Sequence, residues 1–181
     1  MRVIRHANLV PAPWKNGGGS TTTIAVEPQG ASLDDFDWRI SLATIDRDGP
    51  FSSFPGIDRS LALVEGGGVE LDVAGRRVVL GQDVLEFPGE LAVTAKLHGG
   101  STTDFNVMTR RGRYTHRLER RRVAGRVHIG AGGTTIVFVA QGSIDGEGIS
   151  LQRHDALIID SVCIVEATEA VLLVTTLMRA P

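Results

Sequence analysis

The chain is short of the residues that brace a fold covalently or seat it in a membrane. Its single cysteine, Cys163, cannot close an intramolecular disulfide. It lies in the apolar run Ser161-Val-Cys-Ile-Val165 and reads as a small buried hydrophobe, not a catalytic thiol. No apolar stretch approaches the roughly 20 residues of a membrane helix; the strongest, Thr135-Ile-Val-Phe-Val-Ala140 and Ala170-Val-Leu-Leu-Val174, are far shorter. After Arg2 and Arg5, His6 and Asn8 interrupt any run that could form the core of an export signal. A cytoplasmic address with no membrane partner is therefore expected. Net charge is only -2, which argues against a polyanion binder. Eight arginines nevertheless fall between Arg110 and Arg126, and the expectation there is a solvated hairpin or interdomain strand whose arginines meet acidic residues. No nucleic-acid partner is expected.

The motifs of covalent catalysis are missing as well. There is no Gly-x-Ser-x-Gly elbow, no His-x-x-x-His and no Cys-x-x-Cys, and the five histidines are dispersed. His6 and His116 read as exposed, His98 adjoins Gly99 and Gly100, and His128 and His154 fall in the second half. No catalytic residue and no cofactor is assigned.

Present throughout are short β-branched runs bounded by Gly, Pro or Asp, with almost no helical periodicity, which predicts an all-β barrel or sandwich. Strands are predicted at 21–26, 38–45, 60–65, 69–73, 76–80, 83–87, 92–97 and 103–110, with a similar series from Gly125 onward and one helical turn at Asp34-Asp35-Phe36. With 42% hydrophobic residues among 181, the chain can bury a core. An internal repeat suggests two equivalent halves: Leu61-Ala-Leu-Val-Glu-Gly66 resembles Ile136-Val-Phe-Val-Ala-Gln-Gly142, Gly81-Gln-Asp-Val-Leu-Glu-Phe87 resembles Arg153-His-Asp-Ala-Leu-Ile-Ile159, and Asn106-Val-Met-Thr-Arg110 resembles Thr175-Thr-Leu-Met-Arg179. The expected boundaries are 1–115 for a first barrel with the ligand pocket and 116–181 for a degenerate second one.

The order Leu63-Val-Glu-Gly66, Val69 to Asp83, Glu86-Phe-Pro-Gly89 resembles a cupin core of strand, hairpin, strand, Asp turn and Pro-Gly corner. Ala74-Gly75 suits the tight hairpin. That likeness implies a bicupin, two tandem cupin-like (double-stranded β-helix or jelly-roll) barrels. Where metal-binding cupins carry the ligands of a His-x-His-x3-Glu-x6-Gly motif and a later His, this chain has Ser53, Pro55, Arg59 and Val93. The same counting in the second half gives Ile129, Ala131, Thr135 and Val165, so no metal site is expected in either. At Arg59 a permanent cation replaces a carboxylate, which favours bidentate contact with a carboxylate or phosphate. The alternative is a rim ion pair with Asp58, Asp46 or Asp48.

Trp14-Lys-Asn-Gly-Gly-Gly-Ser-Thr-Thr-Thr23 lacks the Walker order. Its glycines could turn several N-H groups toward an anion or let the chain pass close over a neighbouring strand. Trp14-Lys-Asn-Gly-Gly-Gly19, Trp38-Arg-Ile-Ser41, Gly49-Pro-Phe-Ser-Ser-Phe-Pro-Gly-Ile-Asp-Arg59 and Asp104-Phe-Asn-Val-Met108 together resemble the HutD/Ves family. The resemblance covers the N-terminal two-thirds in order. It implies association with bacterial histidine utilisation, as a governor sensing a metabolite such as urocanate or a formylated glutamate; a Ves-like member would be described only as stress-related.

The residues agree with a carboxylate-bearing partner. Strand alternation puts Arg39 and Ser41 on one face, so that Arg39 can join Arg59. Trp14, Phe51 and Phe54 would supply walls; Asn16, Ser52 and Asn106 would supply directional hydrogen bonds; Gly17 and Gly18 would turn backbone N-H groups toward the anion; Asp104 would orient Arg59 as a buried salt-bridge partner. The expected function is non-enzymatic binding of a small carboxylate metabolite. The alternative is a metal-free isomerase or lyase with Asp104 or Glu65 as base. A free barrel edge also allows a homodimer.

Overall fold

The computed structural model describes residues 1–130 and 132–180. The chain divides into two compact units, Val10–Tyr114, and Met1–Leu9 together with Thr115–Pro181. It opens with β1 (Arg2–Ile4) and a single 3-10 turn at His6–Asn8. Among the described residues there is no α-helix, and no helix long and apolar enough to cross a membrane.

Unit Val10–Tyr114 carries β2 (Ala12–Pro13), β3 (Gly19–Glu27), β4 (Trp38–Ile45), β5 (Gly49–Pro50) and β6 (Ile57–Glu65). It continues with β7 (Val69–Val73), β8 (Arg76–Leu80), β9 (Leu85–Pro88), β10 (Val93–Leu97) and β11 (Thr102–Arg110). β4, β7 and β8 coincide with the predicted spans, β3, β6, β9, β10 and β11 differ from theirs by one to three residues at an end, and the two-residue strands β2 and β5 have no predicted counterpart. Asp34-Asp35-Phe36 is no helix: residues 33–35 form a plain turn. A six-stranded sheet runs β2-β3-β4-β11-β6-β9 and a four-stranded sheet runs β5-β10-β7-β8. Leu61 and Phe87 of the larger sheet meet Val69, Leu71, Leu80 and Val93 of the smaller one in a common apolar core. Burying each such side chain stabilises the fold by roughly 1.5–3 kcal/mol. The β7-β8 hairpin turns on Ala74 (φ 51°) and Gly75 (φ 90°), the paired left-handed residues that match the twist of its strands. Asp72 Oδ1 accepts a 2.7 Å hydrogen bond from the Gly75 N-H and closes that turn.

The other unit carries β12 (Tyr114–Ile129), β13 (Thr134–Gln141), β14 (Ile144–Gly146), β15 (Ile149–Leu151), β16 (Ala156–Ile159) and β17 (Cys163–Arg179). Its sheet runs β1-β16-β13-β17-β14-β15, with β12 also paired to β17. Val137, Leu157, Ile159, Leu172 and Val174 build its core together with Ile129, Val165 and Cys163. Burial raises the Cys163 thiol pKa, with Glu147 adding to it, as befits an inert sulfur. Thr135 is buried as well; Ala131 lies outside the described residues. Residues 1–9, expected with the first half, pack here instead, because Val3 pairs with Leu157 and Arg5 bonds Asp155 at 2.7 Å. His6, expected to be exposed, is half-buried and meets the His154 ring edge-on at 5.1 Å.

The segments aligned in the internal repeat occupy matching places. β9-β6-β11 in one unit and β16-β13-β17 in the other run in the same order, all antiparallel. Leu61 pairs with Asn106, and Ile136 pairs with Thr175, so the leading residues of the aligned segments face each other in both. Around the arginine-rich stretch, Arg111 pairs with Asp58 (2.8 Å) and Glu90, Arg113 with Asp37 (2.9 Å), and Glu119 with Arg117 (2.6 Å) and Arg121.

Candidate functional site

Pairing register decides which side chains share the inner face of the six-stranded sheet. On β4, Arg39, Ser41 and Ala43 point one way and Trp38, Ile40 and Leu42 the other. Arg39 pairs with Met108, and Met108 pairs with Arg59, which pairs in turn with Phe87. The next rows hold Ser41 with Asn106, and Ala43 with Asp104. These rows wall a cavity of about 600 Å³ inside Val10–Tyr114, within the size range of small-molecule sites.

Of the residues singled out in the sequence, Trp14, Asn16, Arg39, Ser41, Phe51, Ser52, Phe54, Arg59, Asp104 and Asn106 line this cavity. Lys15, Thr21, Leu33, Pro50 and Met108 join them, and sequence reasoning passed these over. Gly17, Gly18 and the candidate base Glu65 are not in the lining. The Gly17 N-H donates to the Trp14 carbonyl at 2.9 Å, and the Gly18 N-H to Asn16 Oδ1 at 2.9 Å, so both amides are spent on the turn and no anion nest forms. Close passage is what Gly19 serves. A Cβ on Gly19 would lie 2.1 Å from the Thr44 carbonyl oxygen. The turn places Trp14 at the cavity, where its Nε1-H donates to Thr21 Oγ1 at 2.7 Å.

Arg59 is 6% exposed. Its Cζ lies 5.6, 5.4 and 5.1 Å from the ring centroids of Phe51, Phe54 and Phe87, an aromatic cage that holds the guanidinium by cation-π attraction. The Glu-Phe-Pro-Gly corner does not by itself mark Phe87 for this role; only the β6-β9 register aims this ring at Arg59. Backbone bonds from Phe51 N to the Val93 carbonyl (2.9 Å) and from Phe54 N to the Gly89 carbonyl (2.8 Å) fix the other two rings. Burial pulls the Arg59 pKa down to about 10, with Asp104 opposing. The rim alternative does not hold: Asp58 bonds Arg111, Asp46 accepts from Ser101, and Asp48 accepts from the Leu97 N-H. Arg39 donates to Thr23 Oγ1 at 2.6 Å, and burial lowers its pKa.

Asp104 is 1% exposed, and the structure corrects the expected salt bridge to Arg59: both carboxylate oxygens lack any hydrogen-bond partner, as does Arg59 Nε. Asn106 Oδ1 is likewise buried without a donor. Burial pushes the Asp104 pKa up to about 7, against the pull of the Arg59 charge.

The positions that carry ligands in metal-binding cupins do not fit a metal. Ser53 and Pro55 are exposed, Val93 belongs to the apolar core, and a caged guanidinium at Arg59 repels a cation. Among the described residues, no three His, Cys, Asp or Glu side chains are grouped to hold an ion.

Comparison with known proteins places this cavity in context. A cupin 2 conserved barrel domain protein from Leptotrichia buccalis superposes with a TM-score of 0.64 at 12% identity, over 98% of this chain and 96% of the other, a likeness of fold alone. HutD from Pseudomonas fluorescens SBW25, solved in a formate condition, matches with a TM-score of 0.86 at 32% identity over 99% of each chain. An uncharacterised 21.2 kDa protein in the hutC 3' region of Pseudomonas putida is 36% identical over 147 residues, 80% of this chain and 76% of the other. Protein Ves of Citrobacter koseri is 37% identical over 134 residues, 72% of this chain and 68% of the other. The HutD family model matches residues 6–173, and the chain belongs to the HutD family.

Proposed function

We propose that this protein is a non-enzymatic sensor that binds a small carboxylate metabolite, such as urocanate or a formylated glutamate, and thereby modulates histidine utilisation in the cytoplasm. The observation that carries this reading is the row Arg39-Met108-Arg59-Phe87. It sets two arginines on one wall of a 600 Å³ cavity, the buried one caged by phenylalanine rings. A desolvated guanidinium that bonds no carboxylate of the protein is a strong site for a ligand carboxylate, because the charge-assisted hydrogen bonds form in a low-dielectric setting. The link to histidine utilisation comes from the HutD relatives, and the matching order β9-β6-β11 and β16-β13-β17 supports two tandem barrels, a bicupin.

Calorimetric titration with urocanate and with N-formylglutamate, followed by product analysis of the same mixtures, tests the reading. Saturable heat with the ligand recovered intact is expected. Silence with both acids, or conversion of either, overturns it. Conversion would favour the second reading, an isomerase or lyase. One observation speaks for that reading: Asp104, a buried carboxyl with its pKa raised to about 7, is poised to exchange a proton near neutrality.

A further inference from the structure

We infer that the cavity reads its ligand from both ends, taking an anionic group at Arg59 and Arg39 and requiring a hydrogen-bond donor, an N-H or a cationic nitrogen, at Asp104 and Asn106. This rests on the carboxylate reading above and adds the chemistry of the opposite end.

Three buried acceptor atoms, on residues two apart along β11, lack donors there: both carboxylate oxygens of Asp104 and Oδ1 of Asn106. Their residues are 1% and 7% exposed, and both line the cavity. Buried acceptors left unmatched are unfavourable, and native folds rarely keep several together without a role. The fold does not supply the donor. Arg59 has no ion pair with Asp104 among the described residues, and Arg39 is held by Thr23. A ligand N-H can supply it.

Strand geometry keeps the two ends apart. Arg59 stands opposite Met108, while Asp104 lies four residues earlier on β11, roughly 13 Å away along the strand. The arginine stem shortens that span, and the Phe51 and Phe54 rings flank the anionic end. A dicarboxylate with no N-H would press its second anion against Asp104 and meet repulsion, whereas the imidazole N-H of urocanate and the formamide N-H of N-formylglutamate each offer a donor there. An amphoteric acid, carboxylate at one end and N-H at the other, satisfies both ends.

The test compares two flat acids with the same acrylate arm: urocanate, whose imidazole donates, and trans-cinnamate, whose phenyl ring cannot. Calorimetry is done at pH 8, where Asp104 is ionised. The wild-type protein should bind urocanate at least about tenfold more tightly than cinnamate. In Asp104→Leu, urocanate should fall to the cinnamate level while cinnamate holds or gains. Equal affinity of wild type for the two acids overturns the two-ended site and leaves the carboxylate reading standing. No binding of either acid removes the two-ended site for flat acids, and silence with N-formylglutamate as well removes the carboxylate reading. Should Asp104→Leu fail to fold, the wild-type comparison decides alone.

Discussion

Arg59 and Asp104 project into one cavity from neighbouring strands, oppositely charged and both buried, yet they do not bond each other. Each therefore keeps its desolvation cost without a direct partner, and the carboxyl meets it by holding its proton up to about 7.

A pH dependence of stability follows. The folded-state pKa of Asp104 lies above the ordinary 3.8, so its favourable contribution is complete below about pH 4 and is lost as pH rises toward 7. Asp104→Asn removes this titration. In ligand-free protein, its unfolding free energy relative to wild type should climb between pH 4 and pH 7 and then level off, by an amount on the order of 2–4 kcal/mol. A difference that stays flat over that range would show the carboxyl to be solvated.

Arg59→Met keeps an apolar stem among the three rings and removes the charge. Affinity for urocanate should drop about a hundredfold. The thermal midpoint should match or exceed that of wild type, since a desolvated ion is gone. Titration calorimetry and differential scanning calorimetry on the same sample check both halves. Binding within threefold of wild type would deny Arg59 its role.

Phe87→Leu removes the ring closest to the guanidinium, 5.1 Å from Arg59 Cζ. Since cation-π contact contributes about 0.5–2 kcal/mol, carboxylate affinity should weaken by several-fold. The core should also lose about 1 kcal/mol. Unchanged affinity with reduced stability would make Phe87 a packing residue only.

The glycine turn offers a contrast between neighbours. A Cβ at Gly19 meets the Thr44 backbone oxygen at 2.1 Å, whereas at Gly18 the first contact is the flexible Asn16 Oδ1 at 3.2 Å. Gly19→Ala should lower stability by more than about 2 kcal/mol, and Gly18→Ala by less than about 1 kcal/mol. Chemical denaturation midpoints of the two variants measure this. Equal midpoints would mean that the chain can lift away from Thr44.

Local pattern made β4, β7 and β8 legible, because alternation and the Ala74-Gly75 turn are properties of neighbouring residues. The face of Arg39 and Ser41 followed from the same alternation. Long-range register was not legible. Phe87 meets Arg59 through the β6-β9 pairing, and β1 finds β16 more than 150 residues along the chain; neither leaves a mark in local sequence. The spacing of Arg59 and Asp104 hid likewise, since opposite charges in a barrel suggest a salt bridge until the four-residue offset on β11 separates them.

The pairing of β1 with β16 sets an order of events at the ribosome. Residues 10–114 can close around their cavity as soon as β11 emerges, whereas Arg2–Ile4 must wait, with its edge unmatched, until Ala156–Ile159 has been translated. Arg2–Ile4 is thus made before β16 yet secured only after it, so substitutions within β1 should trouble the later-made sheet and spare ligand recognition.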